Sequence, residues 1–477
     1  MVQNTFRMNN EGRYWPQVLA IGVGSLGCIN NGLQYGWTSP FIVKITKDKE
    51  NYDITEDEAS YFATMPALAM MISCSLFSYL THIIGPKKTY LLGAFPYIIS
   101  WILLMVAKEA YVFYISRFFA GMTDGIMFAS FPMYMAEITE PKIRGTFGNG
   151  QTVAIYFGQF AINVIGTYLD VKKTSYICVV VPVLFLILFP MMPESPYYLI
   201  RKGKYEEAKE ALKWLRRKPD IEEDFAKLKS DVQRQTSDKG TWNELFTVEP
   251  NRKALLAGLF LRLSQQLSGL QVFAVYTKYI FEKSGSNLDP DMSTMVYAAM
   301  VLIVNTLTCF MTEYIGRRKA YMFSLGTCAV VLWILGIYFV IDQFYPQVDL
   351  GSFQWVPLTG LICFTVFSAF GVTMIPTLML GELFSASIKP KGMMVLIVVF
   401  GAGITSIYQL FYYLNTKFGM YCPFLVFAAC STVSSVLTKW LVPETKGMTL
   451  EEIQQYLTTK KKSLTNVETS TNSQTAI

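Results

Sequence analysis

Charged residues are scarce in this sequence. Lys, Arg, Asp and Glu together make up 16% of its 477 residues, where a soluble domain carries about 25%, so a water-facing globule of this length has too little charge to cover it. Histidine is scarcer still, since His82 is the only one. A catalytic centre of clustered His, Asp or metal ligands asks for more than that. The eight cysteines (Cys28, Cys74, Cys178, Cys309, Cys328, Cys363, Cys422 and Cys430) fall inside or at the edges of apolar segments without metal-ligand spacing, as packed free thiols do. No enzymatic chemistry, cofactor or metal is expected. Nothing points to nucleic acid, and the net charge of +6 suits loops facing anionic lipid.

Apolar residues fill the chain instead, at 52%. Runs of about 20 of them cross a bilayer core as helices. Twelve such runs lie near 18–40, 60–82, 89–107, 111–137, 147–168, 175–192, 254–281, 293–312, 320–341, 356–384, 392–415 and 420–442. Short loops between them carry Lys87 and Lys88, Lys142 and Arg144, Arg317 to Lys319, and Lys389 and Lys391. A cationic excess marks the cytoplasmic side, so both termini are expected inside. The polar first 17 residues lead into a span longer than a leader's apolar core, and no cleaved signal is expected.

One long polar stretch divides the chain. It begins PESPYYLIRKGKYEEAKEALKWLRR, where Ser195 can cap a helix that starts at Pro196. Leu199, Ala208, Ala211, Leu212 and Leu215 then recur at roughly helical spacing, as amphipathic helices lying against a bundle would have them. The expected division is a cytoplasmic N-terminus 1–17, a six-helix bundle 18–192, an intracellular helical linker 193–253, a second bundle 254–442 and a cytoplasmic tail 443–477.

The two halves repeat one another. THIIGPKKTY at Thr81 returns as TEYIGRRKAY at Thr312, 231 residues on; AEITEPKIRG at Ala136 returns as GELFSASIKPKG at Gly381; PES at Pro193 returns as PET at Pro443. The second and third offsets, 245 and 250 residues, rise gradually from the first, as small insertions in a duplicated unit would make them. The fold class is therefore an all-α membrane protein of twelve transmembrane helices in two pseudo-symmetric six-helix bundles. Two such halves can rock about a midplane site and expose it to each side in turn, with charged pairs at helix ends latching one state. That arrangement points to transport.

In order, RFFAGMTDG with MAEITEPKIRG, PESP, QQLSG at Gln265, EYIGRR at Glu313, GELF at Gly381 and PETKG at Pro443 resemble the signatures of the sugar porter family of the major facilitator superfamily. The resemblance runs from about Gly22 to Glu452, and YGWTSP at Tyr35 with the long PESPYYLI form looks most like insect facilitated trehalose transporters and their hexose-carrying relatives. It implies a latch made of Arg117, Glu137, Arg144, Glu313, Arg317, Arg318, Glu382 and Lys389. It also implies a sugar site centred on Gln265 and Gln266, with Gln271, Asn305 and, as an outer gate, Tyr276. In the fifth span Thr152 stands where relatives have a binding glutamine, with Gln151 one position earlier, and in the tenth Thr377 follows Pro376 where glucose-carrying relatives have tryptophan. Amides suit a neutral polyol because they both donate to and accept from hydroxyls. Gln265 and Gln266 are adjacent, about 100° apart around a helix, so at most one points straight into a cavity; Gln265 is expected to lead.

Each assignment has a plain competitor. Helix-end cations can be topology signals, and glutamines can join helices. His82 and Pro86 replace the family's acid and arginine, which weakens the first half's latch. Asp124 and Arg262 lie deep in the fourth and seventh spans, where ionisable groups default to function; they are expected either to pair structurally or to handle substrate or protons. Gln34 stands where proton-coupled relatives have an aspartate, so the implied activity is facilitated diffusion of a mono- or disaccharide by a monomer in the plasma membrane. A proton symporter and a non-transporting sensor on the same fold are the alternatives.

Overall fold

The computed structural model describes residues 14–140, 150–218, 220–237, 240–284, 289–311, 316–348, 350–385, 387–446, 448, 452–453 and 456, and no strand occurs among them. The first span is broken, with Trp15–Gly36 running into Thr38–Lys47. Glu56–Ile84, the pair Pro86–Leu92 and Ala94–Val106, Ala110–Ile138, Gly150–Tyr168, and the pair Val171–Cys178 and Val180–Leu188 complete the first six. Four short helices follow as a linker: Pro196–Arg201, Tyr205–Arg216, Glu222–Ser237 and Trp242–Thr247. The last six are Glu249–Leu267 with Leu270–Lys283, Pro290–Met311, Arg317–Phe344, Val356–Ala369 with Ile375–Leu383, Lys389–Phe418, and Tyr421–Leu441. The face bearing Trp15, Leu441 and the linker is called the linker face, and its opposite the far face.

Several helices outrun their apolar stretches. The second begins at Glu56, the seventh at Glu249, and the ninth covers Arg317–Phe344, because hydropathy marks only the part that lipid surrounds. The tenth span is not continuous as its apolar run implies, since Ala369 and Ile375 are separated by turns.

Local chemistry fixes the ends. Thr55 and Glu58 form a capping box at the start of the second span, and Asp170 caps the sixth through the Lys173 N–H at 2.9 Å. Ser195 caps the linker as expected, accepting from the Tyr198 N–H at 3.1 Å with Pro196 in first position. Ala208, Ala211, Leu212 and Leu215 form the buried stripe of the next helix, and Arg216 ties it to the fourth span's end by a 2.8 Å pair with Glu140.

Eight spans are long and apolar enough by composition alone to cross a membrane. The first, fourth, fifth and seventh are not, because they turn amides and charges inward: Asn30, Asn31, Gln34, Arg117, Asp124, Gln159, Asn163, Arg262, Gln265 and Gln266 are all buried. Backbones meet where side chains are missing. A Cβ on Gly121 would stand 2.0 Å from the Pro66 carbonyl oxygen, and one on Gly32 1.9 Å from that of Ile155, so the second and fourth spans, and the first and fifth, cross at glycine as membrane helices commonly do.

Candidate functional site

The seventh span breaks at Gly269, whose φ of +79° favours glycine, and bends again at Tyr276. The tenth breaks between Ala369 and Ile375. A helix broken at membrane depth frees carbonyls that lipid cannot satisfy, so protein must. Gln265 does this, donating through Nε2 to the Val372 carbonyl at 2.8 Å while its Oε1 accepts from Arg262 Nη1 at 3.0 Å. Arg262 lies over the Phe400 ring, 4.6 Å from its centroid. Its amide thus commits Gln265 to joining two broken helices, contrary to the expectation that it leads in binding.

Gln266 differs. It is 2% exposed, yet neither its Oε1 nor its Nε2 has a partner among the described residues. Its Cγ lies 3.0 Å from where a Cβ on Gly403 would stand, so this amide sits against the eleventh span with its hydrogen-bonding capacity unused. Asn305 donates to the Val301 carbonyl and Asn163 to that of Gln159, both at 2.8 Å, and each leaves its Oδ1 without a partner. Buried amide atoms left open on the fifth, seventh and eighth spans are what an uncharged, hydroxyl-rich molecule can complete. Asn163 escaped the sequence reading, although an asparagine within an apolar run was a signal for it. Gln271, Gln151 and Thr152 are half-buried, and Thr377 is exposed; among the described residues no hydrogen bond joins them to Gln266.

The two deep charges do not pair. Asp124 accepts from Asn31 Nδ2 at 2.6 Å and from the Tyr97 hydroxyl at 3.3 Å, while Arg262 is held by Gln265. Arg117 lies near the head of the fourth span, two turns in from its far end and away from the linker-face charges. There it donates to Gln34 Oε1 at 2.9 Å, Thr38 Oγ1 at 3.1 Å and the Phe62 carbonyl at 3.2 Å, and covers the Trp37 ring. Its neighbours on the first span are neutral.

At the linker face the duplicated motifs do duplicate work. The Glu194 carboxylate accepts the Lys87 N–H at 3.2 Å, and that of Glu444 accepts the Arg317 N–H at 2.8 Å. Ser195 donates to Glu137, and Thr445 to Glu382. The halves differ in charge. Arg317 Nη2 meets Glu382 at 3.3 Å, whereas Pro86 offers Glu137 no cation. His82 instead contacts the linker, its Nδ1 lying 3.1 Å from Arg201 Nη1. Lys389 donates to the Gly381 carbonyl at 2.9 Å, and Arg318 is half-buried. Arg144 and Glu313 lie outside the described residues.

At the far face the halves are joined directly. Lys47 pairs with Glu282 at 3.0 Å and Lys283 with Glu56 at 3.8 Å. Tyr412 donates to Asp57 at 2.6 Å, and the buried Tyr276 to the Ser60 carbonyl at 3.5 Å. Tyr276, expected as an outer gate, thus lies at this seam between the halves, and Asp57, Glu56 and Tyr412 are seam residues that sequence reasoning did not single out.

Twelve helices sealed across one face, with open amides at mid-depth, define a membrane carrier. The family model described as "Sugar (and other) transporter" matches residues 23–457, and the chain belongs to that family: it is a multi-pass membrane sugar transporter and not an enzyme. It is 28% identical over 459 residues to a facilitated trehalose transporter Tret1 of Culex quinquefasciatus, covering 95% of this chain and 88% of that one. With the Tret1 of Bombyx mori the identity is 27%, covering 95% and 89%. With Tret1-1 of Drosophila simulans it is 30%, but the match spans 53% of that longer protein. Among solved structures, the inward open xylose transporter XylE from E. coli aligns with a TM-score of 0.76 at 18% identity, covering 92% of this chain and 99% of that one. The proton:xylose symporter XylE bound to 6-bromo-6-deoxy-D-glucose gives 0.71 at 20%, covering 92% and 100%. These fix the major facilitator fold.

Proposed function

We propose that this carrier moves a neutral saccharide, trehalose or a hexose such as glucose, down its gradient by alternating access and without proton coupling. The observation that carries the reading is the unpartnered, buried amide of Gln266, together with the open Oδ1 atoms of Asn163 and Asn305. The names of the relatives favour trehalose. Uncoupled movement is supported by the Arg117–Gln34 bond: a neutral amide holds the arginine, and it cannot take up or release a proton on the transport cycle. Asp124 is bound by two neutral donors and serves as a structural charge in this reading.

In the proposed topology the linker face is cytoplasmic, with both termini there, since the short loops on that side carry the cationic excess. The bundles are 18–192 and 254–442, the linker 193–253 docks beneath them, and the working unit is a monomer in the plasma membrane. Arg317, Arg318, Glu382 and Lys389, with Glu137, form the cytoplasmic latch. A panel of radiolabelled sugars in exchange assays with reconstituted protein tests the reading: trehalose or a hexose should drive counterflow of itself, and failure of every neutral sugar would contradict it.

A further inference from the structure

A cavity of about 510 Å³ opens at the far-face mouth, within the range of about 300–1,000 Å³ typical of small-molecule sites. None of the mid-depth amides Gln266, Asn163 and Asn305 lines it, whereas Tyr276 does. The ring of Tyr276 packs on Phe411 with centroids 5.1 Å apart, and its hydroxyl reaches the second span. The walls come from both halves, with Thr46 and Glu56 on one side and Tyr279, Glu282 and Tyr412 on the other.

Its chemistry selects against ions. Each lining charge has an opposite partner, Glu282 with Lys47 at 3.0 Å, Asp291 with Lys278 at 2.5 Å and, more loosely, Glu56 with Lys283 at 3.8 Å, so a charged ligand gains less here than a neutral one. Carboxylate and phenol oxygens retain lone pairs for hydroxyl donors, and tyrosine rings offer flat apolar faces for C–H surfaces. A neutral polyhydroxylated molecule satisfies both.

We infer that the closed far face forms a second saccharide site, separate from the transport site and present only in this state. The inference rests on the sugar-carrier reading above. When the gate opens, the walls separate and the site is lost. A ligand bound there favours the closed state by as much as its affinity for the two states differs. Sugar on the far side therefore feeds transport at low concentration and delays reopening at high concentration, so the uptake rate passes through a maximum.

The test is initial-rate trehalose and glucose uptake into liposomes holding the full chain in one orientation, across rising external sugar with osmolarity balanced by KCl. The parent should fall several-fold below its peak at the highest concentrations. Thr46→Trp, which fills the cavity from outside the transport site, should turn that fall into a plateau with the low-concentration KM unchanged. As a second measurement, equilibrium binding of radiolabelled trehalose to purified parent should show two sites, and to Thr46→Leu a weakened second one. A parent curve that saturates and stays flat, or a single binding site, overturns the inference while leaving the carrier reading standing. No uptake of any sugar overturns both.

Discussion

Glu444 accepts the backbone N–H of Arg317 at 2.8 Å, and Glu194 makes the matching bond one position later in its own half, to Lys87. The shift has a simple cause: Pro86 stands where Arg317 does and has no N–H to give. In each half an acid after the sixth span of its repeat thus caps a helix N-terminus, where the dipole favours it. Glu444→Ala removes a cap worth about 1 kcal/mol and frees Arg317 to swing from Glu382. The purified variant should melt earlier and transport at an altered rate with KM little changed. An unchanged melting curve would reduce this contact to coincidence.

Burial pushes the Glu194 carboxyl above its usual range. The folded state then binds this proton more readily than the unfolded state, so its contribution to stability falls as pH rises from the ordinary carboxylate value through the raised one. Glu194→Gln removes that slope. Melting curves across the acid range should show the variant gaining on the parent as pH rises; a constant difference would place the effect elsewhere.

The adjacent glutamines should separate cleanly. Leaving a sugar hydroxyl unpaired in a dry site costs about 1–3 kcal/mol, so Gln266→Ala should raise KM between several-fold and about a hundredfold while melting stays near the parent. Gln265→Ala frees the Val372 carbonyl and Arg262, and should lower the melting temperature or the yield first. Paired thermal and transport measurements decide it, and the reverse pattern would return the leading role to Gln265.

Much of this was legible in the sequence. Apolar runs gave the twelve helices, three repeated motifs divided them into two halves because each repeat is a helix end with a job, and Ser195 with Pro196 gave the linker its start. The site was less legible. Adjacent amides such as Gln265 and Gln266 read alike until a helix break elsewhere, at 370–374, claims one of them. Asp124 and Arg262 were natural partners by charge alone, yet Asn31 and Gln265 reach them first. Asp57 and Tyr412 are 355 residues apart, and no local pattern announces such a contact.

Gln34→Asp tests how the neutral amide beside Arg117 governs coupling. The new carboxylate, one methylene shorter than the amide, faces a buried guanidinium, whose attraction draws the first and fourth spans together and adds a titratable group. Uptake should slow and become pH-dependent where the parent's is not. A variant indistinguishable from the parent across pH would remove Gln34 from the account.

The most direct measurement follows trehalose and glucose in liposomes containing only this protein, with and without an imposed proton gradient. The account predicts that internal sugar rises to the external concentration and stops there, at a rate that a protonophore leaves unchanged. Accumulation above the external concentration that collapses when the protonophore is added would contradict it.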